Sequence, residues 1–79
     1  MYVAFVLINA EIGAEDDVVN ALNKITNVIE AHIVYGAYDI VVKVSAESMK
    51  RLKEIITWKI RRLDRVRTTL TMIVMEEPE

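Results

Sequence analysis

Hydrophobic residues fall into six segments along the chain. The first, residues 2–10, is apolar at both alternating sets of positions and rich in β-branched side chains, which predicts a strand covered on both faces. After Gly13 the apolar spacing becomes three to four residues, and it predicts a helix from Ala14 to Ile25. Acidic residues at 15–17 suit the positive N-terminal end of that helix.

Two further strands follow the helix. Residues 28–35 and 38–44 are largely apolar and are separated by Gly36-Ala37. Because glycine tolerates the positive φ angle of a two-residue turn, this pattern predicts a tight hairpin.

The last third of the chain predicts a helix and a strand. Ser45 is the expected N-cap of the helix, and Glu47 lies in its first turn. Residues 66–75 predict the closing strand, and 76–79 an exposed acidic tail. The apolar stripe of the helix, at spacings of three and four, consists of Met49, Leu52, Ile56, Ile60 and Leu63.

The resulting order, β-α-β-β-α-β, predicts a single α+β domain over residues 1–75. Right-handed crossovers place both helices on one face of a four-stranded antiparallel sheet of order 4-1-3-2, the ferredoxin-like arrangement. The first and third strands are the most apolar and suit the centre, whereas Glu30, His32 and the threonines suit the edges.

Alternation within the strands predicts an interface. In the third strand Ile40, Val42, Val44 and Tyr38 are expected to face the helices. The helix-free face is expected to keep Val41, Ile73, Met75 and half of the first strand. Such apolar surface marks a contact, so we expect the sheets of two copies to pack into a dimeric α+β barrel or sandwich.

Composition supports this expectation. A chain of 79 residues buries little surface alone, and without cysteine it has no disulfide to stabilise it. Yet its apolar share, counted with glycine and without tyrosine, is 41 of 79 residues or about 52%, above the roughly 45–50% of an average domain. The excess fits a core completed by a second copy.

The charge of the chain, −2 overall, is unevenly distributed. Residues 43–67 carry +6 and the remainder −8, so no global positive field points to nucleic acid. The basic segment is interpreted either as a solvated helix or as a docking face. Trp58 and Ile55 lie off the apolar stripe, and either burial by a loop or a contact between dimers would explain them.

Several function classes are disfavoured. No segment suits a membrane span or a signal peptide, which predicts a soluble, cytoplasmic protein. His32 is the only histidine and has no metal-ligand partner, and nothing favours Glu30 with Asp39 as an acid–base pair. No cofactor motif or nucleophile arrangement occurs, so neither a cofactor nor a metal nor enzymatic activity is expected. RNA binding in this fold needs aromatic residues on the central strands. The third strand has one, Tyr38, on the expected helix side, and the first strand lacks the matching pair.

Two motifs resemble one known family. Residues 35–44, YGAYDIVVKV, are similar to the G-x-Y-D-φ-φ-φ-K-V hairpin of the Lrp/AsnC (feast/famine) transcriptional regulators, in their C-terminal ligand-binding domain. Residues 66–74, VRTTLTMIV, resemble the closing strand of that domain. Two positions depart from the family pattern: Arg65 stands where glycine is usual, and Thr68 where arginine is frequent.

The resemblance implies a stand-alone effector module, the RAM domain, without a helix-turn-helix DNA-binding domain. Such modules dimerise through their sheets, and the dimers form rings, often octamers, with amino-acid effectors between dimers. No direct nucleic-acid contact is expected, and a full-length regulator is a possible partner.

By position, the resemblance implies a ligand site made by Gly36, Tyr38, Asp39, Thr69 and Thr71. Asp39 would accept hydrogen bonds from an ammonium group and the threonine hydroxyls would donate to a carboxylate. By strand alternation Asp39 and the two threonines are expected on one sheet face, within a pocket that draws on two subunits. Without the resemblance, a turn aspartate and plain β-propensity would explain them.

Two other functions compete with an amino-acid sensor that modulates transcriptional regulators. One is a purely structural oligomerisation domain. The other is an ACT-like regulatory module or a small enzyme of the same fold, although ACT modules carry their ligand glycine after the first strand, where only Gly13 stands.

Overall fold

A computed structural model describes residues 1–75, so the predicted acidic tail, 76–79, lies outside the described residues. The elements run in the predicted order, with one π-helical turn, Ile56–Ile60, continuing the second helix. Their bounds are β1 Tyr2–Ala10, α1 Glu15–Leu22, β2 Val28–Ile33, β3 Ile40–Ala46, α2 Met49–Ile55 and β4 Val66–Ile73.

The four strands form one antiparallel sheet of order β2-β3-β1-β4, which confirms the predicted order read from the other edge. β1 and β3 are central, and β3 pairs with β1 over its whole length, from Ala46 opposite Tyr2 to Ile40 opposite Ile8. The fold is therefore the ferredoxin-like α+β arrangement that the sequence predicts.

The hydrophobic core lies between the sheet and its two helices. Alternate residues of β1 and β3 are buried, so each central strand turns one side chain in two towards the helices. The completely buried side chains of the core include Val6, Ile8, Val18, Leu22, Ile40, Val42, Val44, Leu52, Ile55 and Ile60. The helix-facing set predicted for β3 is confirmed at Ile40, Val42 and Val44.

The connection between β2 and β3 is longer than predicted. The strands stop at Ile33 and resume at Ile40, so residues 34–39 form a loop instead of a two-residue turn at Gly36-Ala37. The main-chain N–H of Val34 donates to the carbonyl of Asp39 across 2.8 Å and closes this loop. Gly36 has φ +146°, which L side chains rarely adopt.

The N-cap prediction for α2 is wrong by three residues. Ser45 is part of β3, where its N–H donates to the carbonyl of Asn27 and its own carbonyl accepts from Asn27 Nδ2, both across 3.0 Å. These bonds hold Ser45 in the strand. Ser48 caps the helix instead, because its Oγ accepts from the N–H of Arg51 at 3.1 Å, and Glu47 precedes the helix.

Two residues of the second helical segment lie off the predicted apolar stripe: Ile55 at the end of α2 and Trp58 within the π-helical turn. The N–H of Arg61 bonds to the carbonyl of Ile56, five residues earlier, at 2.9 Å. Ile55 is completely buried in the core, whereas Trp58 remains 58% exposed. Burial by a neighbouring loop therefore does not account for Trp58.

A β-bulge corrects the predicted faces of β4. Val66 pairs with Ala10 and Thr68 with Asn9, so Arg67 is an extra residue that reverses the alternation beyond it. Thr69, Thr71 and Ile73 consequently lie opposite the buried Ile8, Val6 and Ala4, on the helix side. Leu70 and Met72, opposite Leu7 and Phe5, take the helix-free face, and Met75 follows the end of the strand.

Candidate functional site

One end of the sheet carries two adjoining depressions. This end is formed where β1 finishes, where β3 and β4 begin, and where the loop after β1 leads into α1. The first depression has a volume of about 430 Å³ and the second about 290 Å³, and both are lined by Glu15 and Asp39.

Asp39 is held in place by the end of β1. Its main-chain N–H donates to the carbonyl of Ile8 at 2.9 Å, and its Oδ2 accepts from the N–H of Ala10 at 3.0 Å. These two bonds extend the β1–β3 pairing by one residue and fix the carboxylate between the depressions. The second carboxylate oxygen, Oδ1, is not engaged by Ala10 and can accept from a ligand.

The second depression contains opposite charges. Arg67, the bulge residue of β4, lines it together with the carboxylates of Asp39 and Glu15. Asn9 and Thr68 complete its polar wall, with Asn9 Nδ2 donating to Thr68 Oγ1 at 3.3 Å. A guanidinium and two carboxylates around one depression complement a zwitterion, since the first binds a carboxylate and the others an ammonium group.

The outer side of the first depression is lined by apolar and aromatic residues. Ile33, Val34 and Tyr35 line it opposite Asp16, Glu15 and Asp39. Tyr35 is fully exposed, and Ile12, at the rim of the second depression, is 96% exposed. Apolar side chains this open beside a polar depression mark surface that a ligand or a second copy can cover.

A left-handed residue positions the start of β4. Arg65 has φ 70°, a region that L residues enter at a cost. Its carbonyl accepts from the N–H of Glu11 at 2.9 Å, and its Nη1 donates to Asp17 Oδ2 at 3.0 Å. Asp17 lies in the first turn of α1 and Glu11 precedes the helix, so Arg65 connects the start of α1 to the start of β4, two residues before Arg67.

The structure places only one of the five predicted site residues in these depressions. Asp39 lines both, while Gly36 and Tyr38 belong to the neighbouring loop. Thr69 and Thr71 lie on the helix side of β4, so the expectation that they share a sheet face with Asp39 is wrong. Their contact with a ligand stays a prediction.

Sequence reasoning missed Arg67, Thr68, Asn9 and Glu15. The signal for Arg67 was present, because the chain has an arginine directly before Thr68, the position at which the similar family often has one. The bulge that turns Arg67 towards Asp39 could not be predicted from strand alternation.

The helix-free sheet face offers a larger surface. Val3, Phe5, Leu7 and Val41 are only half-buried there, and Leu70 and Met72 are 46% and 48% exposed. The face is polar towards the β2 edge, where His32 Nε2 and Glu30 Oε1 are 3.0 Å apart and Lys43 Nζ lies 5.9 Å from the ring centre of Phe5. The bond from His32, with the nearby Lys43, lowers the pKa of Glu30.

Within residues 1–75, no cluster of three or more histidine, aspartate or glutamate side chains could hold a metal ion. Over the same range, every helix is too short or too polar to cross a membrane.

Comparison with known proteins identifies relatives. The family model of the Lrp/AsnC ligand binding domain matches residues 3–79. A curated HTH-type transcriptional regulator of Pyrococcus abyssi is 36% identical over 72 residues, which cover 91% of this chain and 46% of that protein. The chain thus spans about half the length of the curated relatives it matches.

Two solved structures are similar to this chain in fold. The crystal structure of FFRP-DM1 has a TM-score of 0.91 and 40% identity, covering 95% of this chain and 100% of that one. Escherichia coli AsnC has a TM-score of 0.89 and 26% identity, covering 99% of this chain and 53% of that one.

Proposed function

We propose that this chain, which belongs to the Lrp/AsnC ligand binding domain family, is an effector-binding and oligomerisation module that senses an amino acid without catalysing a reaction. It would act on transcriptional regulators in the cytoplasm, by assembling with a full-length relative. The observation that carries the proposal is that Arg67, Asp39 and Glu15 line one depression.

The chemistry of an α-amino acid fits that depression. The ammonium group would donate hydrogen bonds to Asp39 Oδ1 and to the carboxylate of Glu15. The carboxylate of the ligand would accept hydrogen bonds from the guanidinium of Arg67. The side chain would extend over the adjoining depression, where Ile33, Val34 and Tyr35 supply apolar contacts. The hairpin residues Gly36 and Tyr38 would flank the ligand, and Thr69 and Thr71 would reach it only from a second subunit.

A relative supports the ligand class. A transcriptional regulator of Neisseria meningitidis, 15% identical and similar in fold with a TM-score of 0.85, was solved as a complex with L-Met.

The sheet face supports assembly. Its apolar half, formed by β1 and β4 with Val41, is the surface we propose to pack against the same surface of a second copy. Burial there would add a second apolar layer to the core that lies between the sheet and its helices. Dimers would then join into a higher oligomer, for which an octamer is the form proposed.

Calorimetry with a panel of free amino acids tests the binding site. We expect one or a few amino acids to bind, and Arg67→Ala or Asp39→Asn to weaken binding at least about tenfold, a loss of about 1.4 kcal/mol. Asp39→Asn is the matched change because it keeps an oxygen that can accept from Ala10. Binding that is indifferent to both variants would place the ligand elsewhere.

The competing function is an oligomerisation domain that needs no ligand. The exposed apolar residues of the sheet face favour assembly whether or not the depressions are occupied. If no amino acid binds the assembled protein, that function replaces the sensor.

A further inference from the structure

The two adjoining depressions together carry more negative than positive charge. Their walls hold one guanidinium, that of Arg67, and three carboxylates, those of Glu15, Asp16 and Asp39, which gives a net charge of −2. A neutral amino acid is a zwitterion and adds no net charge, so it leaves this excess uncompensated. A ligand with one additional positive charge reduces it.

The excess of negative charge lies in the first depression. All three carboxylates line it, whereas Arg67 lines only the second depression. Within residues 1–75, lysine and arginine side chains form ion pairs with Glu54 and Asp17 and not with these three carboxylates. The first depression therefore offers a cation carboxylate groups that no basic side chain of the described residues neutralises.

The rest of the first depression is apolar or aromatic. Ile33, Val34 and Tyr35 line it together with the carboxylates, and all three are exposed. A long side chain can pack its aliphatic stem on Ile33 and Val34 while its charged end stays in water. The ring of Tyr35 adds a face that attracts a cation. An aliphatic stem with a positive end is the side chain of lysine or arginine.

Resting on the proposed function, we infer that the effector is an amino acid with a cationic side chain, lysine or arginine, and that Asp16 determines this preference. The α-ammonium and α-carboxylate groups take the positions beside Asp39, Glu15 and Arg67. The side chain extends along the first depression, where its cationic end donates hydrogen bonds to the carboxylate of Asp16. Asp16 lines only this depression, so it does not compete for the α-ammonium group.

The acidic first turn of α1 also has a structural role. The N-cap residue Ala14 provides no side-chain hydrogen bond, and Glu15, Asp16 and Asp17 offset the partial positive charge at this end of the helix. That role does not require apolar residues of β2 and its following loop beside Asp16. Asp17 separates the two roles, because it belongs to the same turn but is paired with Arg65 and does not line the depression.

Calorimetry with lysine, arginine, norleucine and glutamate tests the preference. Norleucine is the matched ligand, since it has the aliphatic stem of lysine without the ammonium group. At low salt we expect the tighter of lysine and arginine to bind about tenfold more strongly than norleucine, and glutamate to bind most weakly. Higher salt should reduce the ratio, because the added contacts are ionic and exposed. If norleucine or glutamate binds as tightly as lysine and arginine, the effector is not a cationic amino acid, while the proposed function stands.

Two amide substitutions test the role of Asp16. Asp16→Asn keeps the size of the side chain and removes its charge, so it should lower the affinity for lysine about threefold and leave that for norleucine unchanged. Asp17→Asn removes one charge from the same turn and should leave both affinities unchanged, with circular dichroism as the check of the fold. If Asp16→Asn does not change the ratio of the two affinities, or if Asp17→Asn lowers it equally, Asp16 does not determine the preference.

A charge reversal at the same position should reverse the preference. Asp16→Lys places a cation beside the ligand side chain, which repels that of lysine and attracts that of glutamate, so glutamate should become the tighter ligand. Lysine still bound more tightly than glutamate by this variant would contradict the role of Asp16. If none of the amino acids binds the native chain, the proposed function itself is overturned, whereas a different order among ligands that do bind overturns only the cationic preference.

Discussion

The carboxylate oxygen Oδ2 of Asp39 accepts a 3.0 Å hydrogen bond from the main-chain N–H of Ala10. The bond joins residues 29 positions apart and fixes the start of β3 to the end of β1. Asp39 therefore has a structural role at the same place where a ligand-binding role is proposed, and the two roles respond to different substitutions.

Asp39→Ala should destabilise the domain, because the N–H of Ala10 loses its partner. We expect a loss of about 1–2 kcal/mol in the free energy of unfolding, measured by urea denaturation at fixed protein concentration. Asp39→Asn, which keeps an acceptor oxygen, should lose less than half of that while still weakening amino-acid binding. Equal losses of stability in both variants would contradict the assigned role of the hydrogen bond.

The effect of replacing Arg65 on stability should depend on whether the new residue tolerates a positive φ angle. At φ 70° a β-branched side chain is strained, so Arg65→Val should cost about 1–2 kcal/mol of unfolding free energy. Arg65→Gly removes the strain and loses only the exposed pair with Asp17, so it should stay within about 1 kcal/mol of the native chain. Asp17→Asn removes the ion pair with Arg65 and leaves residue 65 unchanged, so it measures the contribution of that pair to stability. Arg65→Val as stable as Arg65→Gly would refute this assignment.

The Glu30–His32 pair predicts a pH dependence. Because the hydrogen bond from His32 lowers the pKa of folded Glu30, its contribution to stability is present above the pKa of the unfolded carboxyl group. That contribution is lost as the pH falls through the lowered folded value. In NMR titration, His32→Asn should raise the pKa of Glu30 towards its ordinary value. An unchanged pKa would mean that the pair does not persist in solution.

Dimerisation through the sheet face should be weakened by a charge introduced on β4. A carboxylate at position 70 or 72 would be buried against apolar residues of the second copy. We therefore expect Leu70→Glu or Met72→Glu to weaken dimerisation at least about a hundredfold, close to 3 kcal/mol. Ile29→Glu, at an equally exposed apolar position on β2, is the matched control and should have little effect on the sedimentation mass. Equal effects of all three would argue against a contact centred on β1 and β4.

The sequence predicted most of the fold because the central strands are regular. β3 alternates without interruption from Ile40 to Val44, so its buried set could be read directly. β4 could not be read in this way, since a single extra residue at Arg67 reverses every side chain that follows it. That reversal moved Thr69 and Thr71 away from Asp39 and brought Leu70 and Met72 onto the helix-free face.

The β-bulge at Arg67 is also a reason why most of the candidate site could not be predicted from the sequence. Hydrophobic spacing carries information about the core, whereas the depression depends on a bulge, on the left-handed Arg65 and on a carboxylate held by the N–H of Ala10. Each of these involves strand pairing or a hydrogen bond between residues far apart in the sequence. Asp39 was predicted because it belongs to a hairpin motif that resembles the family, and Arg67 was missed because its position depends on pairing with β1.

The central claim is that an amino acid bound beside Asp39 and Arg67 changes how the protein assembles. Light scattering of the native chain and of Arg67→Ala, with and without the amino acid that calorimetry identifies, tests it most directly. We expect the mean mass of the native chain to change at ligand concentrations near the dissociation constant, since a ligand shifts an equilibrium by its differential affinity. Arg67→Ala should not respond at those concentrations. A mean mass that is the same with and without ligand in the native chain would contradict the claim.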